Sequence, residues 1–132
     1  MTPQAERRWS PDLAYALLLT AIALPWIAGS AHSTAAGYGF LAGPHPSDAR
    51  LIVSILANVA HGLVEDPARL FDIPVSHPVP NQLAGSEHFL SSQILFGPLH
   101  LLGANALLAA NLTALFSYVL AAVAMRHYLL AL

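Results

Sequence analysis

Residues 88–125 read HFLSSQILFGPLHLLGANALLAANLTALFSYVLAAVAM and contain no Asp, Glu, Lys or Arg. This run is too long for a single crossing of a hydrocarbon core, because about 20 helical residues span its roughly 30 Å. Glycine-containing breaks at 97–98 and 103–105 interrupt the run. We therefore predict two transmembrane helices in 88–125, near 88–102 and 106–125, with a hairpin near 103–105.

A second uncharged run, LAYALLLTAIALPWIAGSA, covers residues 13–31. Ser10-Pro11-Asp12 precedes it and is typical of a helix start, since Ser can cap the helix and Asp faces the positive end of its dipole. The length fits one membrane crossing, and tryptophan, here Trp26, is enriched at membrane interfaces. The sequence therefore predicts transmembrane helix 1 over 13–31.

The orientation of this first helix follows from the basic residues before it. Arg7 and Arg8 lie in the polar segment 1–12, which the positive-inside tendency assigns to the cytoplasm. The alternative is a cleaved signal peptide, because an apolar stretch after two arginines and before the small residues 29–31 fits that pattern too. Both interpretations put the segment after residue 31 outside the cytoplasm.

The composition of the 132-residue chain supports a membrane location. Hydrophobic residues make up 56% and charged residues 9%, against about 25% charged in soluble domains, and the mean hydropathy is +0.59. A net charge of −2 without any lysine argues against nucleic acid as a partner. The absence of cysteine excludes disulfides and thiolate metal sites. We expect one all-α integral membrane domain, with membrane lipid as a partner.

Residues 32–87 hold most of the charges and are predicted to form an extracytoplasmic loop. Within it, apolar residues recur in pairs four positions apart, which predicts an amphipathic helix over 47–64; they stand at 51, 52, 55, 56, 59, 60, 63 and 64. Asp66-Pro67 should end this helix. We expect the helix to lie on the membrane surface or against the transmembrane helices.

Three residues of this loop region and its border are candidates for chemistry. Asp48 falls at the predicted helix start, where it is either a favourable N-terminal charge or a general base or metal ligand held at the membrane interface. Glu87 and His88 precede the uncharged run, either as a helix start or as groups lining a polar cavity. Three further histidines lack regular metal-ligand spacing; they are His61, His77 and His100. No metal site is predicted, and a divalent metal is compatible with the sequence but not required by it.

The order of these signals resembles a known family. Between residues 46 and 125 an Asp after the first span is followed by DPARLFD, a proline-bearing stretch with SEH, PL in the second span and GAN before the third. This order resembles the N-terminal part of bacterial polytopic membrane proteins with the C-type glycosyltransferase architecture (GT-C-like), over about residues 44–125. The chain departs from that pattern in lacking tryptophan in the helix after Asp48. Relatives also continue through many more spans.

The resemblance implies a multi-pass enzyme of the bacterial inner membrane, with a cytoplasmic N-terminus. Such an enzyme transfers a sugar from a polyprenyl-phosphate carrier to an extracytoplasmic acceptor. It implies Asp48 as the catalytic base. Glu87 and His88 match the SEH pattern of relatives, and because both sites flank membrane-crossing segments on the same predicted side, we expect these two residues to line the same outer cavity and bind substrate. Residues 126–132 would then begin further hydrophobic sequence, and the present stretch alone would be inactive. The alternative is a small non-catalytic membrane subunit or scaffold whose Ala- and Gly-containing faces pack against partners.

Overall fold

A computed structural model describes residues 10–32, 46–73 and 79–132. Four α-helices occur in these ranges: α1 (Pro11–His32), α2 (Pro46–Glu65), α3 (Gln93–Leu101) and α4 (Ala106–Ala131). Short 3-10 turns cover Pro67–Arg69, Gln82–Gly85 and Leu90–Ser92. Within the described ranges there is no β-strand, so the expected all-α fold is confirmed. Predictions that concern Arg7, Arg8 or His77 fall outside the described residues.

The two longest helices begin at the local signals that favour helix starts. Ser10 precedes α1, and its Oγ accepts a hydrogen bond from the Leu13 N–H at 3.3 Å. Asn105 precedes α4 in an extended conformation, and its Oδ1 accepts a hydrogen bond from the Leu108 N–H at 2.8 Å. Each side chain satisfies one of the backbone donors that a helix N-terminus leaves without an intrahelical partner.

Helices α1 and α4 lie side by side and antiparallel. They share the most extensive helix–helix contact among the described elements. At one end of the pair the Arg126 guanidinium donates a hydrogen bond to the Asp12 carboxylate over 2.9 Å. The beginning of α1 therefore meets the last turns of α4, although 114 positions separate the two residues in sequence. We call α1 and α4 together the hairpin, although they are not consecutive in the chain. The name does not refer to the turn predicted near 103–105.

The core lies at the other end of α4, where α2 and α3 pack against its first turns. One buried cluster joins these three helices; its members are Leu56, Ala60, Phe96, Ala109 and Ala110. A second cluster joins α2 to the connections that follow it, through Ile55, Val59, Ile73 and Leu83. We call residues 46–105, which supply most of this core, the outer segment.

Helix α2 extends one residue beyond the predicted 47–64 at each end. Four residues of its predicted apolar stripe are buried, namely Ile55, Leu56, Val59 and Ala60. Their partners are α3, the first turns of α4 and the loops after α2. The middle of the stripe is packed against other parts of the chain, whereas Leu51, Leu63 and Val64 are exposed.

The stretch predicted to form the second span, 88–102, is not one helix. Phe89 adopts a left-handed conformation with φ +49°, a 3-10 turn follows, and α3 contains only nine residues. At 1.5 Å per residue α3 is about 13.5 Å long. This is less than half of the roughly 30 Å that a crossing requires.

The break predicted near 103–105 is present. Gly103 has φ +106°, a conformation that favours glycine, and Asn105 caps the next helix. Helix α4 then continues past the predicted end at residue 125 to Ala131. Among the described helices, α4 alone is long and apolar enough to cross a membrane by length and composition. In α1 the corresponding apolar stretch is shorter, Pro11–Pro25.

Candidate functional site

Asp48 lies in the first turn of α2 and its side chain is exposed. A carboxylate at this position interacts favourably with the positive end of the helix dipole, by about 0.3–1 kcal/mol. The neighbouring Arg50 is exposed as well. The structure therefore presents Asp48 on an open surface, where both the capping and the general-base interpretation are chemically possible.

Glu87 and His88 lie in the irregular connection between the 3-10 turns 82–85 and 90–92. Glu87 is exposed, whereas His88 is half-buried with its ring centroid 5.8 Å from that of Phe71. The Leu90 N–H points at the Nδ1 atom of His88 over 3.5 Å. His88 is thus held against the outer segment by a ring contact, while the Glu87 carboxylate faces away from the core.

Both candidate groups are positioned by α2 or by residues that pack against it. The residues next to His88, Phe89 and Leu90, pack against the cluster that contains Ile55 and Val59. Asp48 precedes Ile55 by seven residues, which corresponds to about 10 Å along the helix axis. No hydrogen bond or ion pair in the described ranges joins Asp48 to Glu87 or His88.

The structure instead brings together two histidines that lie far apart in the sequence. The rings of His61 on α2 and His100 on α3 meet edge to face, with centroids 5.3 Å apart. His61 Nδ1 lies 3.4 Å from the Glu65 carboxylate, and His100 Nδ1 lies 3.0 Å from the Ala104 carbonyl oxygen. Phe96 contacts the same His100 ring, at a centroid distance of 5.3 Å.

These contacts give the pair a structural role. The His100 hydrogen bond closes the turn between α3 and α4, and the ring contact ties that turn to α2. Nothing in the spacing of the two histidines indicates this pairing, since 39 positions separate them. The described residues contain no group of three or more His, Asp or Glu side chains that could hold a metal ion.

A second polar cluster lies at the far end of the hairpin. Asp12 binds Arg126 over 2.9 Å, and His127 Nε2 lies 3.4 Å from the other carboxylate oxygen of Asp12. The Asp12 and Arg126 side chains are both partly buried. Beside them runs an open groove of mainly apolar character, lined by Tyr15, Ala122, Met125, Arg126, Leu129 and Leu130. The cluster fixes the relative position of α1 and α4.

Comparisons of the chain with protein-family models, with curated proteins and with solved structures find no match. The resemblance to the C-type glycosyltransferase architecture is therefore carried by the sequence order alone. In the described ranges the structure adds two residue groups that local patterns did not indicate, His61 with His100 and Asp12 with Arg126.

Proposed function

We propose that the chain is an integral membrane protein of the bacterial inner membrane, in which the hairpin crosses the lipid. The observation that carries this proposal is the outward apolar surface of both helices. Among the side chains that the structure describes, six exposed large apolar ones lie on α1 and seven on α4; they are Leu13, Tyr15, Leu17, Leu18, Ile22, Leu24, Phe116, Tyr118, Leu120, Met125, Tyr128, Leu129 and Leu130. Transfer of such an apolar surface from water into lipid is energetically favourable.

The lengths of the two helices also support a crossing. Helix α4 has 26 residues, about 39 Å, and is the described helix that is long and apolar enough to cross. Helix α1 has 22 residues, about 33 Å, although the apolar stretch found in it is shorter, Pro11–Pro25. Neither 13–31 nor 106–125 contains an Asp, Glu, Lys or Arg. The charged residues Asp12 and Arg126 mark one end of the hairpin, next to Tyr15 and Tyr128, and tyrosine is enriched at membrane interfaces.

Two crossings fit the distribution of arginines better than the three predicted from the sequence. After two crossings Arg126 returns to the side of Arg7 and Arg8, which the positive-inside tendency assigns to the cytoplasm. Three crossings would leave Arg126 outside. In this proposal the outer segment, with Asp48 and Glu87, lies on the extracytoplasmic side.

Membrane integration is tested by alkaline carbonate extraction of membranes that contain the chain. We expect the chain to stay with the membranes, and Leu120→Asp, near the middle of α4, to release a large fraction of it. An acidic side chain at the centre of a crossing helix costs about 2.5–3.5 kcal/mol. Leu132→Asp, just beyond α4, is the matched control and should be retained. Recovery of the unaltered chain as a soluble, folded protein would contradict the proposal.

Within the membrane we propose a non-catalytic role, as a subunit or scaffold that packs against other helices. In the described ranges no hydrogen bond or ion pair joins Asp48 to Glu87 or His88, the residues expected to share a catalytic cavity. On α4 the exposed small residues Ser117, Ala121 and Ala124 follow one helix face. Small residues let helix backbones approach closely in lipid.

This role predicts an assembly larger than the 14.0 kDa chain in mild detergent. Sedimentation of the solubilised protein measures its mass. Replacing Ala121 and Ala124 together by Leu should shift the assembly toward the monomer, whereas Leu at the exposed Ala14 and Ala21 of α1 is the matched control. A monomer before any substitution, or an assembly that both pairs leave unchanged, would argue against the scaffold.

A sugar transferase is the second candidate, favoured by the exposed position of Asp48 at the start of α2. A carboxylate there is open to an acceptor hydroxyl, and proton abstraction contributes about 10²–10⁴ in rate. The gene downstream of Leu132 discriminates the two candidates, since a transferase requires an open frame that continues into several more spans.

In the intact protein, Asp48→Asn keeps the size of the side chain and removes its charge, at a cost of at most about 1 kcal/mol in the interaction with the helix dipole. We expect this variant to lose sugar transfer if Asp48 is the base. Glu65→Gln, at the exposed end of the same helix, is the control and should keep it. If correctly inserted Asp48→Asn transfers sugar at the normal rate, Asp48 has only a structural role at the start of α2.

A further inference from the structure

The outward face of α3 is apolar throughout. Every exposed residue between 93 and 102 is apolar; these residues are Ile94, Pro98, Leu101 and Leu102. They recur at i, i+4, i+7 and i+8, so they form one continuous stripe along the helix. Ile94 is 78% exposed and Leu102 is 88% exposed. We call these four residues the α3 stripe.

The opposite face of α3 is fixed by packing, so the helix cannot rotate to hide this stripe. Phe96 is fully buried in the core shared by α2, α3 and α4. The buried Gln93 side chain donates a hydrogen bond from Nε2 to the Leu56 carbonyl oxygen of α2 over 3.1 Å. At the other end of α3, the His100 ring forms a hydrogen bond with the Ala104 carbonyl oxygen. The outward orientation of the stripe is therefore a consequence of the fold.

The position of α3 in the chain indicates what covers the stripe. Helix α3 ends at Leu101, and α4 begins at Ala106 after a short turn. Phe96 packs in one cluster with Ala109 and Ala110 of α4. The stripe therefore adjoins the end of α4 that lies opposite the Asp12–Arg126 pair. If α4 crosses the membrane, this end lies at the extracytoplasmic boundary of the lipid.

We propose that the α3 stripe is inserted into the lipid of the outer leaflet, so that α3 is a membrane-contacting helix that does not cross. This inference rests on the proposed membrane location of the hairpin. A nine-residue helix is too short to cross, and a water-exposed helix face normally carries polar side chains. Insertion in the leaflet accounts for both the length and the composition. It also holds the outer segment at a fixed height above the membrane.

Helix α2 provides the contrast within the same segment. Its exposed surface is mixed, because apolar side chains lie there beside the charged or titratable residues Asp48, Arg50, His61 and Glu65. Such a mixed surface is typical of a helix in contact with water. Because α2 and α3 share one core, the difference between their outer faces is not explained by a general excess of apolar residues.

Spin labelling tests the proposal, and the chain contains no cysteine that would give a background signal. Single cysteines at Ile94 and at Leu102 receive a nitroxide, and the protein is placed in vesicles of phosphatidylethanolamine and phosphatidylglycerol. Collision rates are then measured with oxygen, which concentrates in lipid, and with a water-soluble nickel chelate. Ser91→Cys, an exposed polar position just before α3, is the water-facing reference, and Leu120→Cys on α4 is the lipid-facing reference.

We expect the ratio of oxygen to nickel collisions at Ile94 and Leu102 to be several-fold higher than at Ser91 and similar to that at Leu120. A ratio like that of Ser91, with Leu120 in lipid, would overturn the inference and leave the membrane hairpin in place. Shielding from both reagents would also overturn it, because a protein surface would then cover the stripe. A water-exposed Leu120 would contradict the proposed function itself.

Discussion

The hairpin and the outer segment differ in whether their large apolar side chains are buried within the chain. In the outer segment, the large apolar residues in the middle of α2 are buried within the chain, and charged side chains occupy much of its exposed surface. In α4, every large apolar residue with more than a third of its surface exposed lies beyond Leu115. The chain itself therefore supplies a core for α2, whereas the described part of the chain leaves these apolar side chains of α1 and α4 uncovered, and this is the surface that the proposed lipid location would bury.

This comparison shows which property separates the two kinds of helix. Both are rich in apolar residues, but only α2 has them arranged in pairs four positions apart with polar residues between. A helix that is apolar on all sides is typical of a buried or membrane-crossing position. The predictions that follow use this difference, beginning with the largest expected effect.

Aspartate placed in the core of the outer segment should have the largest effect. Val59 on α2 is 0% exposed, so Val59→Asp buries a charge that has no partner, and we expect at least about 4 kcal/mol of destabilisation. Val64→Asp on the same helix, at a position 67% exposed, should change stability by less than about 1 kcal/mol. Hydrogen exchange of residues 46–105 in detergent measures both. Equal protection in the two variants would show that α2 does not pack as described.

Leucine truncation compares the two regions with one chemical change. Leu56 is 4% exposed in the core, and Leu56→Ala should destabilise the outer segment by about 2–5 kcal/mol through lost contacts and a cavity. Leu120 is 62% exposed on α4, and Leu120→Ala leaves no cavity inside the chain, so we expect less than about 1 kcal/mol. Denaturant unfolding in detergent gives both values. A larger loss at Leu120 would mean that another chain packs on it.

The extent to which the sequence predicts the fold follows this same division. The start of α1 at Ser10-Pro11, the apolar pairs of α2 and the break near Gly103 all have local causes. Capping, periodicity and a left-handed turn each act within a few residues, so they can be recognised in the sequence.

The short length of α3 could not be predicted from composition. Residues 88–102 are as apolar as a span, but the left-handed Phe89 and the 3-10 turn after it stop a helix from covering them. This backbone conformation is set by packing of Phe89 against α2 and is not encoded by a glycine or proline at that site. Because α3 is too short to cross, the proposed number of crossings falls from three to two. The proposed side of Arg126 changes with it.

The candidate site residues were also only partly predictable. Asp48 stands at a helix start, as its sequence context indicates, and His88 lies at the edge of the core. How close these residues come to each other depends on how α2 packs, which no local spacing reports. The same holds for His61 with His100 and for Asp12 with Arg126, pairs that only the tertiary fold brings into contact.

Removing the cap of α4 should have a moderate effect. Asn105→Ala deletes the side chain that accepts the Leu108 N–H at 2.8 Å, and we expect a loss of about 1 kcal/mol. Ser10→Ala removes the corresponding cap of α1, whose hydrogen bond is longer at 3.3 Å and exposed, so its effect should be smaller. Thermal unfolding in detergent shows which of the two variants loses more stability. The opposite order would show that the junction of α3 and α4 is held by packing alone.

Removing the ion pair at the far end of the hairpin should have the smallest effect on stability. Arg126→Gln breaks the contact with Asp12, which is partly open to solvent, so we expect at most about 1 kcal/mol. Arg69→Gln breaks the exposed pair with Asp66 and should give no measurable change. Unfolding at low and high salt checks both. A loss well above that range at Arg126 would indicate that the pair is desolvated by lipid or by a partner.

The side of the membrane on which each end of the hairpin lies tests the account most directly. Single cysteines at Glu6, Asp72 and Leu132 are exposed to a membrane-impermeant maleimide in sealed vesicles of each orientation. The two-crossing hairpin predicts that Glu6 and Leu132 react only from the cytoplasmic face and Asp72 only from the extracytoplasmic face. Reaction of Leu132 from the extracytoplasmic face, with Glu6 on the cytoplasmic one, would contradict the hairpin, because it requires an odd number of crossings.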